Sequence, residues 1–386
     1  SRRRLTVAAT AAVVVSVVVA VTAVVLGTSD KDPATGAGAA PTNGTPLSTP
    51  SPTPTTSTAD VLASTPPARV GQPLSGHTGA VAAAVFSPDG HTLATASDDQ
   101  TVRLWDVGDP ATPTPLAEPL TGHTNGVTNV AFSSDGHILA TTSLDGTVRL
   151  WDTTNPAAPV PLGKSLTGHT DAVFGVAFSP DGRTLATAAN DQTVRLWNLA
   201  DPEHAVPLSG PLANELGFAA YDGLAFSPDG HTLATADRLW NVTDPASPTP
   251  LDQPRDAPTG SGLVFSPDGR LLATYDTFPY IVRLWNVTDP AKPTPLGQPL
   301  FIVSEFWFSV AFTPDGSTLA TADGEDGSIR FWNIADPANP TLLGQPLDTR
   351  STEDTGAMGV VTFSPDGTLL ATVGDDANTI QLWKLR

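Results

Sequence analysis

One pentapeptide recurs along the chain and limits its architecture more than any other feature. Phe-(Ser/Thr)-(Pro/Ser)-Asp-Gly stands at 86–90, 132–136, 178–182, 226–230, 265–269, 312–316 and 363–367. A tryptophan follows each copy, at Trp105, Trp151, Trp197, Trp240, Trp285, Trp332 and Trp383, with successive spacings of 46, 46, 43, 45, 47 and 51 residues. A period in the mid-forties, with a turn motif and an aromatic anchor in every unit, points to about four strands per unit.

The local pattern agrees. In the second copy, Val127 to Phe132 is an apolar stretch ending in Ser133-Ser134-Asp135-Gly136, a tight turn. Residues 137–143 read as a second strand, and Leu144-Asp145-Gly146 turns into a third over 147–151. Asn155-Pro156 breaks the chain before 159–166, an outer strand whose prolines suit a sheet edge. Short strands with a turn every 8–12 residues or so, and no helical periodicity, predict an all-β fold.

The stretch Gly122-His123, Phe132 to Gly136, Ser143-Leu144-Asp145-Gly146 and Val148-Arg149-Leu150-Trp151-Asp152 resembles a WD (WD40) repeat, and seven tandem copies fill 70–386. The resemblance implies a seven-bladed β-propeller. The seventh copy runs straight from its third strand into Trp383-Lys384-Leu385-Arg386. Gly71-Gln72-Pro73-Leu74 repeats the outer-strand ends at 297–300 and 344–347, although no unit precedes it. Residues 68–74 are therefore expected to supply the outer strand of blade seven, closing the ring and removing an open edge.

The resemblance also implies a hydrogen-bonded tetrad of His, Ser or Thr, Asp and Trp in each blade. By position these are His77, Ser97, Asp99 and Trp105 in copy one, and His123, Ser143, Asp145 and Trp151 in copy two. Copy three keeps His169, Asp191 and Trp197 but has Ala189 at the serine position, and copies four to seven have no Gly-His. A Ser/His/Asp trio invites a hydrolase reading. The same trio recurs blade after blade, however, with each serine on a strand rather than a nucleophile elbow, so its role is structural.

Other chemical readings fail on spacing. Gly163-Lys164-Ser165 lacks the first glycine of a P-loop, which is Ala158 here. His91, His137 and His231 fall in different blades, and the acidic run 323–327 lacks EF-hand spacing. The innermost strands read Ala83-Ala84-Val85, Asn129-Val130-Ala131 and Gly175-Val176-Ala177, with no channel-facing chemistry. The chain has no cysteine, which excludes disulfides and Cys-ligated metal sites. No catalytic residue, cofactor or metal is expected. Beyond residue 69 there are 14 basic against 36 acidic residues, which argues against nucleic acid as a partner.

The amino-terminal part differs in kind. Residues 5–27 carry no charge, and a helix of that length spans about 30 Å, enough for a bilayer core. A membrane helix is predicted there; a cleaved signal peptide would have a shorter apolar region. Residues 1–4 include Arg2, Arg3 and Arg4, so the positive-inside rule puts this flank in the cytoplasm and the propeller outside. Residues 28–69, with eight prolines and few large apolar side chains, are predicted to be a disordered linker. The chain starts at Ser1 rather than Met, and a longer parent product is expected.

The aromatic residues point to a binding face. The repeated Phe and Trp account for 14 of 25, and ten of the other eleven lie between Phe218 and Phe331. By family analogy, the turns before the first strand and between the second and third share the top face, and the residues four and six before the core Phe point outward. Copy six has Phe308 and Phe306 there, copy one has Ala82 and Ala80, and copy three has Phe174. The enlarged turn 276–280 of copy five adds Phe278 and Tyr280, while copy four loses about five residues in its corresponding turn. The result is an aromatic ridge beside a notch: either a partner-binding surface or packing that fills degenerate blades.

The expected function is a membrane-anchored, extracytoplasmic and non-enzymatic interaction scaffold or sensor with a protein or peptide partner. One alternative is the C-terminal sensing part of a larger signalling protein, with a Ser/Thr kinase or signalling NTPase domain upstream of Ser1. The other is a propeller hydrolase or lyase.

Overall fold

The computed structural model describes residues 57–385 apart from 214–222, 252–257, 259, 277–280, 302–307, 324–326, 350–359 and 375. These residues form seven antiparallel sheets, the blades of a β-propeller. Blade two shows the pattern: strand a Val127–Phe132, strand b Ile138–Ser143, strand c Val148–Asp152 and strand d Val160–Leu166, paired in that order. Strand a of blades one and two is buried along its whole length, because neighbouring blades cover both faces. Each a–b turn is the repeated Ser/Thr-x-Asp-Gly, in which the first hydroxyl bonds the aspartate. Ser133 Oγ donates to Asp135 Oδ1 at 2.6 Å, and the same oxygen accepts the backbone N–H of His137 at 3.0 Å.

Blade seven draws its a, b and c strands from Val361–Phe363, Leu369–Val373 and Ile380–Lys384. Its outer strand is Ala68–Leu74, with Arg69 opposite Trp383 and Leu74 opposite Ile380. The seam is tied further by the Arg69 guanidinium, 5.0 Å from the Trp383 ring centroid, and by the Asn378 side-chain amide donating to the His77 carbonyl at 3.2 Å. The closing strand thus lies where the repeat arithmetic places it.

The outer strands come in two forms, and one residue separates them. In blades two, five, six and seven, a glycine with φ near +60° (Gly163, Gly297, Gly344, Gly71) makes a bulge, and strand d runs for seven or eight residues. In blade one the matching residue is Ala117, strand d shortens to Thr114–Pro115, and only an isolated Val102–Leu120 bridge follows. The apparent P-loop remnant is such a bulge, with Lys164 exposed on strand d.

The linker prediction needs correction at its end. Residues 1–56, including the expected flank 1–4 and membrane span 5–27, lie outside the described residues. Among the described residues, no helix is long and apolar enough to cross a membrane. Within the expected linker, however, Thr58–Ser64 is a helix with a full capping box between Ser57 and Asp60. Its Ala59 and Leu62 are buried in one apolar cluster with Phe331 and Leu343 of blade six and Phe363 and Leu385 of blade seven. Fully burying a leucine stabilises by about 1.5–3 kcal/mol, enough to help order a short segment whose composition alone favours coil.

Candidate functional site

The polar tetrad forms, but around a different hydroxyl. In blade one, His77 Nδ1 lies 2.9 Å from Asp99 Oδ2, while His77 Nε2 lies 2.8 Å from Thr95 Oγ1. The Trp105 indole N–H donates to the same Thr95 oxygen at 3.0 Å. An indole nitrogen can only donate, so Thr95 Oγ1 accepts from Trp105, and the same hydroxyl oxygen lies within hydrogen-bonding distance of His77. Blade two repeats it through Thr141, with His123, Asp145 and Trp151. Blade three repeats it through Thr187, with His169, Asp191 and Trp197.

Ser97 and Ser143 are therefore outside the relay. Ser97 Oγ donates to the Gly79 carbonyl at 3.0 Å and accepts the Asp99 N–H at 3.1 Å, so it shapes the b–c turn, and Ser143 does the same for Asp145. Ala189 in blade three is no defect, since its relay is complete without a serine. The Thr–Trp half also survives in blades without histidine: Trp240 on Thr235, Trp285 on Thr274, Trp332 on Thr321 and Trp383 on Thr372. In blade four the shortened hairpin brings Asp237 to 2.8 Å from the Thr235 hydroxyl, where blades one to three have histidine. These groups link the d–a segment to the b–c turn.

Electrostatics follow the geometry. Burial works against the charged forms of Asp99, Asp145 and Asp191. Hydrogen bonds from His, Thr and a backbone N–H outweigh it and hold all three below the ordinary carboxylate range. His169 is pushed down by burial, more than the neighbouring Asp191 lifts it. Asp98, one residue before the blade-one tetrad carboxylate, is pushed up by burial and by repulsion from Asp99, and its Oδ1 has no hydrogen-bond partner.

The aromatic ridge comes out differently from the sequence expectation. Phe174 is 5% exposed and packs on Leu144 of blade two and on Ala172, so it is core rather than surface. The register of strand a shifts between Val173 and Gly175, and this bulge turns Phe174 into the seam between blades. The same irregularity brackets Ala82 and Thr128, which are fully buried, so the position four before the core Phe does not point outward in blades one to three. In blade six the register is regular at Phe308, opposite Asp323. Phe278, Tyr280, Phe306 and the Phe308 side chain lie outside the described residues.

The sequence reading missed Phe301. It ends strand d of blade five, opposite Ile281, and is 74% exposed, the most exposed large hydrophobic side chain among the described residues. Repeat alignment carried a signal: the residue after the outer-strand Pro-Leu is Ser75, Thr121 via Pro119-Leu120, and Asp348 in other blades. Strand d ends at Phe301, opposite Ile281; in sequence Phe301 directly precedes 302–307 and Ile281 directly follows 277–280, the segments of the expected ridge. The b–c turn of blade four is indeed short, with the Thr235 N–H closing on the Arg238 carbonyl at 2.8 Å.

Among the described residues no group of three or more His, Asp or Glu side chains could hold a metal ion. In strand a of blade two, Asn129 is fully buried and its amide donates to the Phe174 carbonyl at 3.0 Å, so its polarity is used between blades.

Comparison with known proteins gives one family. Residues 69–106, 114–152, 161–198, 304–333 and 344–384 match WD40, described as WD domain, G-beta repeat. The unmatched stretch between 198 and 304 holds blades four and five, where strands a and c shorten (blade four) and Gly-His is missing. No curated protein matches the chain.

Proposed function

We propose that this chain, which carries WD40 repeats closed into a seven-bladed β-propeller, is a non-enzymatic scaffold that engages a protein or peptide partner through the top face of blades five and six. WD40 propellers are typically interaction scaffolds, which sets the class. The observation that supports this face is Phe301, an aromatic side chain left 74% exposed at the end of its strand, where the matching residues of other blades are Ser75, Thr121 and Asp348. A large exposed aromatic beside further aromatic residues in sequence has the character of a binding hot spot. The acidic balance of the repeats favours a protein partner over a nucleic acid.

The same proposal includes display outside a membrane, on the strength of the uncharged run 5–27 and the arginines before it. The alternative is that the propeller is the sensing arm of a larger signalling protein with a kinase or signalling NTPase domain. A photo-crosslinking residue at position 301, compared with one at the exposed Val206 of blade three, tests the face in the native membrane. One partner captured from 301 and not from 206 is the expected result. Equal capture from both positions, or none, rejects the assignment. Protease protection of an epitope at residue 386 in intact cells would overturn the outside display independently.

A further inference from the structure

The helix Thr58–Ser64 sits where the repeat predicts something else. In three blades the left-handed glycine of strand d lies beneath a carbonyl of the next blade's c–d turn. Gly71 meets Pro110, Gly163 meets Glu203 and Gly297 meets Ala338, each so closely that a Cβ would overlap the oxygen. Each turn belongs to the blade that follows: Pro110 to blade one, Glu203 to blade three and Ala338 to blade six. Blade seven takes its fourth strand from Ala68–Leu74, so no such turn joins its strands c and d. Gly344 of blade six, with φ +60°, faces that place, and the atom standing over it is the Leu62 carbonyl.

The helix also grips both sides of the seam. The Thr58 N–H donates to Asp315 Oδ2 at 2.7 Å and the Ala59 N–H to Ser317 Oγ at 3.2 Å, both in the a–b turn of blade six. Leu62 and Ala59, each 4% exposed, join Leu343 of blade six to Leu385 and Phe363 of blade seven. Blade six is the only blade whose a–b aspartate receives a backbone N–H from another segment among the described hydrogen bonds.

We propose that this helix is the second half of the ring closure: a strap that replaces the turn missing from blade seven and fastens blades six and seven together. The propeller then begins at Ser57 rather than at the closing strand. Any pull, partner or cut acting on the chain before Ser57 reaches the closure first, on the face carrying the a–b and c–d turns and opposite the top face.

The test is amide hydrogen exchange on the full chain, comparing Leu62→Asp with Ala63→Asp. Both place the same charge on the same helix, but Ala63 is exposed. Leu62→Asp should speed exchange at least tenfold in peptides covering 68–74 and 380–384, with Ala63→Asp like the parent. A second pair keeps the test independent of helix propensity. Asp315→Ala and Asp181→Ala remove the same turn carboxylate from blades six and three, and only blade six holds the strap. Asp315→Ala should loosen the closing strand, and Asp181→Ala should not. Equal exchange within either pair would overturn the strap.

Discussion

Thr95 Oγ1 lies 2.8 Å from His77 Nε2 and 3.0 Å from the indole nitrogen of Trp105, so one hydroxyl joins the residue entering blade one to the residue that anchors it. The threonine, not the serine two places on, carries this link in each tetrad blade. Thr187→Val in blade three would strand His169 Nε2 and the Trp197 indole N–H at once, with His169 Nδ1 still on Asp191. The expected cost is about 1–3 kcal/mol, since buried polar groups lose their only partner. Thr372→Val in blade seven strands the Trp383 N–H but no histidine, and should cost less. Urea unfolding of the two variants checks the order.

Acid should destabilise blade three. His169 titrates below its ordinary value of 6.5 in the folded protein, so the unfolded chain binds that proton more readily. Its contribution is complete above pH 6.5 and is lost as pH falls through the lowered folded value. Asp99, Asp145 and Asp191 are also depressed from 3.8, and their share is lost at still lower pH. Asp98, raised from 3.8, acts in the opposite sense and is outnumbered. Melting temperature should fall in two stages on acidification, and a histidine NMR titration should give His169 a midpoint below its ordinary 6.5.

Gly163→Ala should destabilise by more than about 1 kcal/mol, because a Cβ at φ +60° is strained and would also overlap the Glu203 carbonyl. Ala117→Gly at the matching place in blade one should be tolerated and should extend the outer strand there. Thermal unfolding measures the first effect, and exchange protection of residues 116–120 measures the second.

Phe301→Ser should leave the melting temperature within a few degrees, because little of the side chain is buried. Partner capture should fall at least tenfold if the aromatic is an anchor of the interface. A large loss of stability would mean that Phe301 packs against the rest of its blade.

The ring, its blade count and its closing strand were legible because a motif repeated at a fixed period survives local ambiguity. The tetrad hydroxyl was not, because Thr95 and Ser97 are two residues apart and therefore face the same side of one strand. Only the register, with Leu93 opposite Trp105, sets Thr95 diagonal to the indole. Phe174 was misread because a bulge re-aims it, and bulges leave little trace in an apolar run. The helix at 58–64 was hidden by its Pro/Ser/Thr-rich surroundings. The surface that orders it is assembled from residues near the opposite end of the sequence.

That last arrangement has a consequence for how the molecule is made. Blades one to six can pair their strands as they leave the ribosome, each from a contiguous stretch. Arg69 must wait for Trp383, so the first strand synthesised in the ring is the last to find its neighbour. Until then the nascent propeller is an open arc with unpaired edges at both ends. Closing the longest loop in the chain should govern its slowest folding phase.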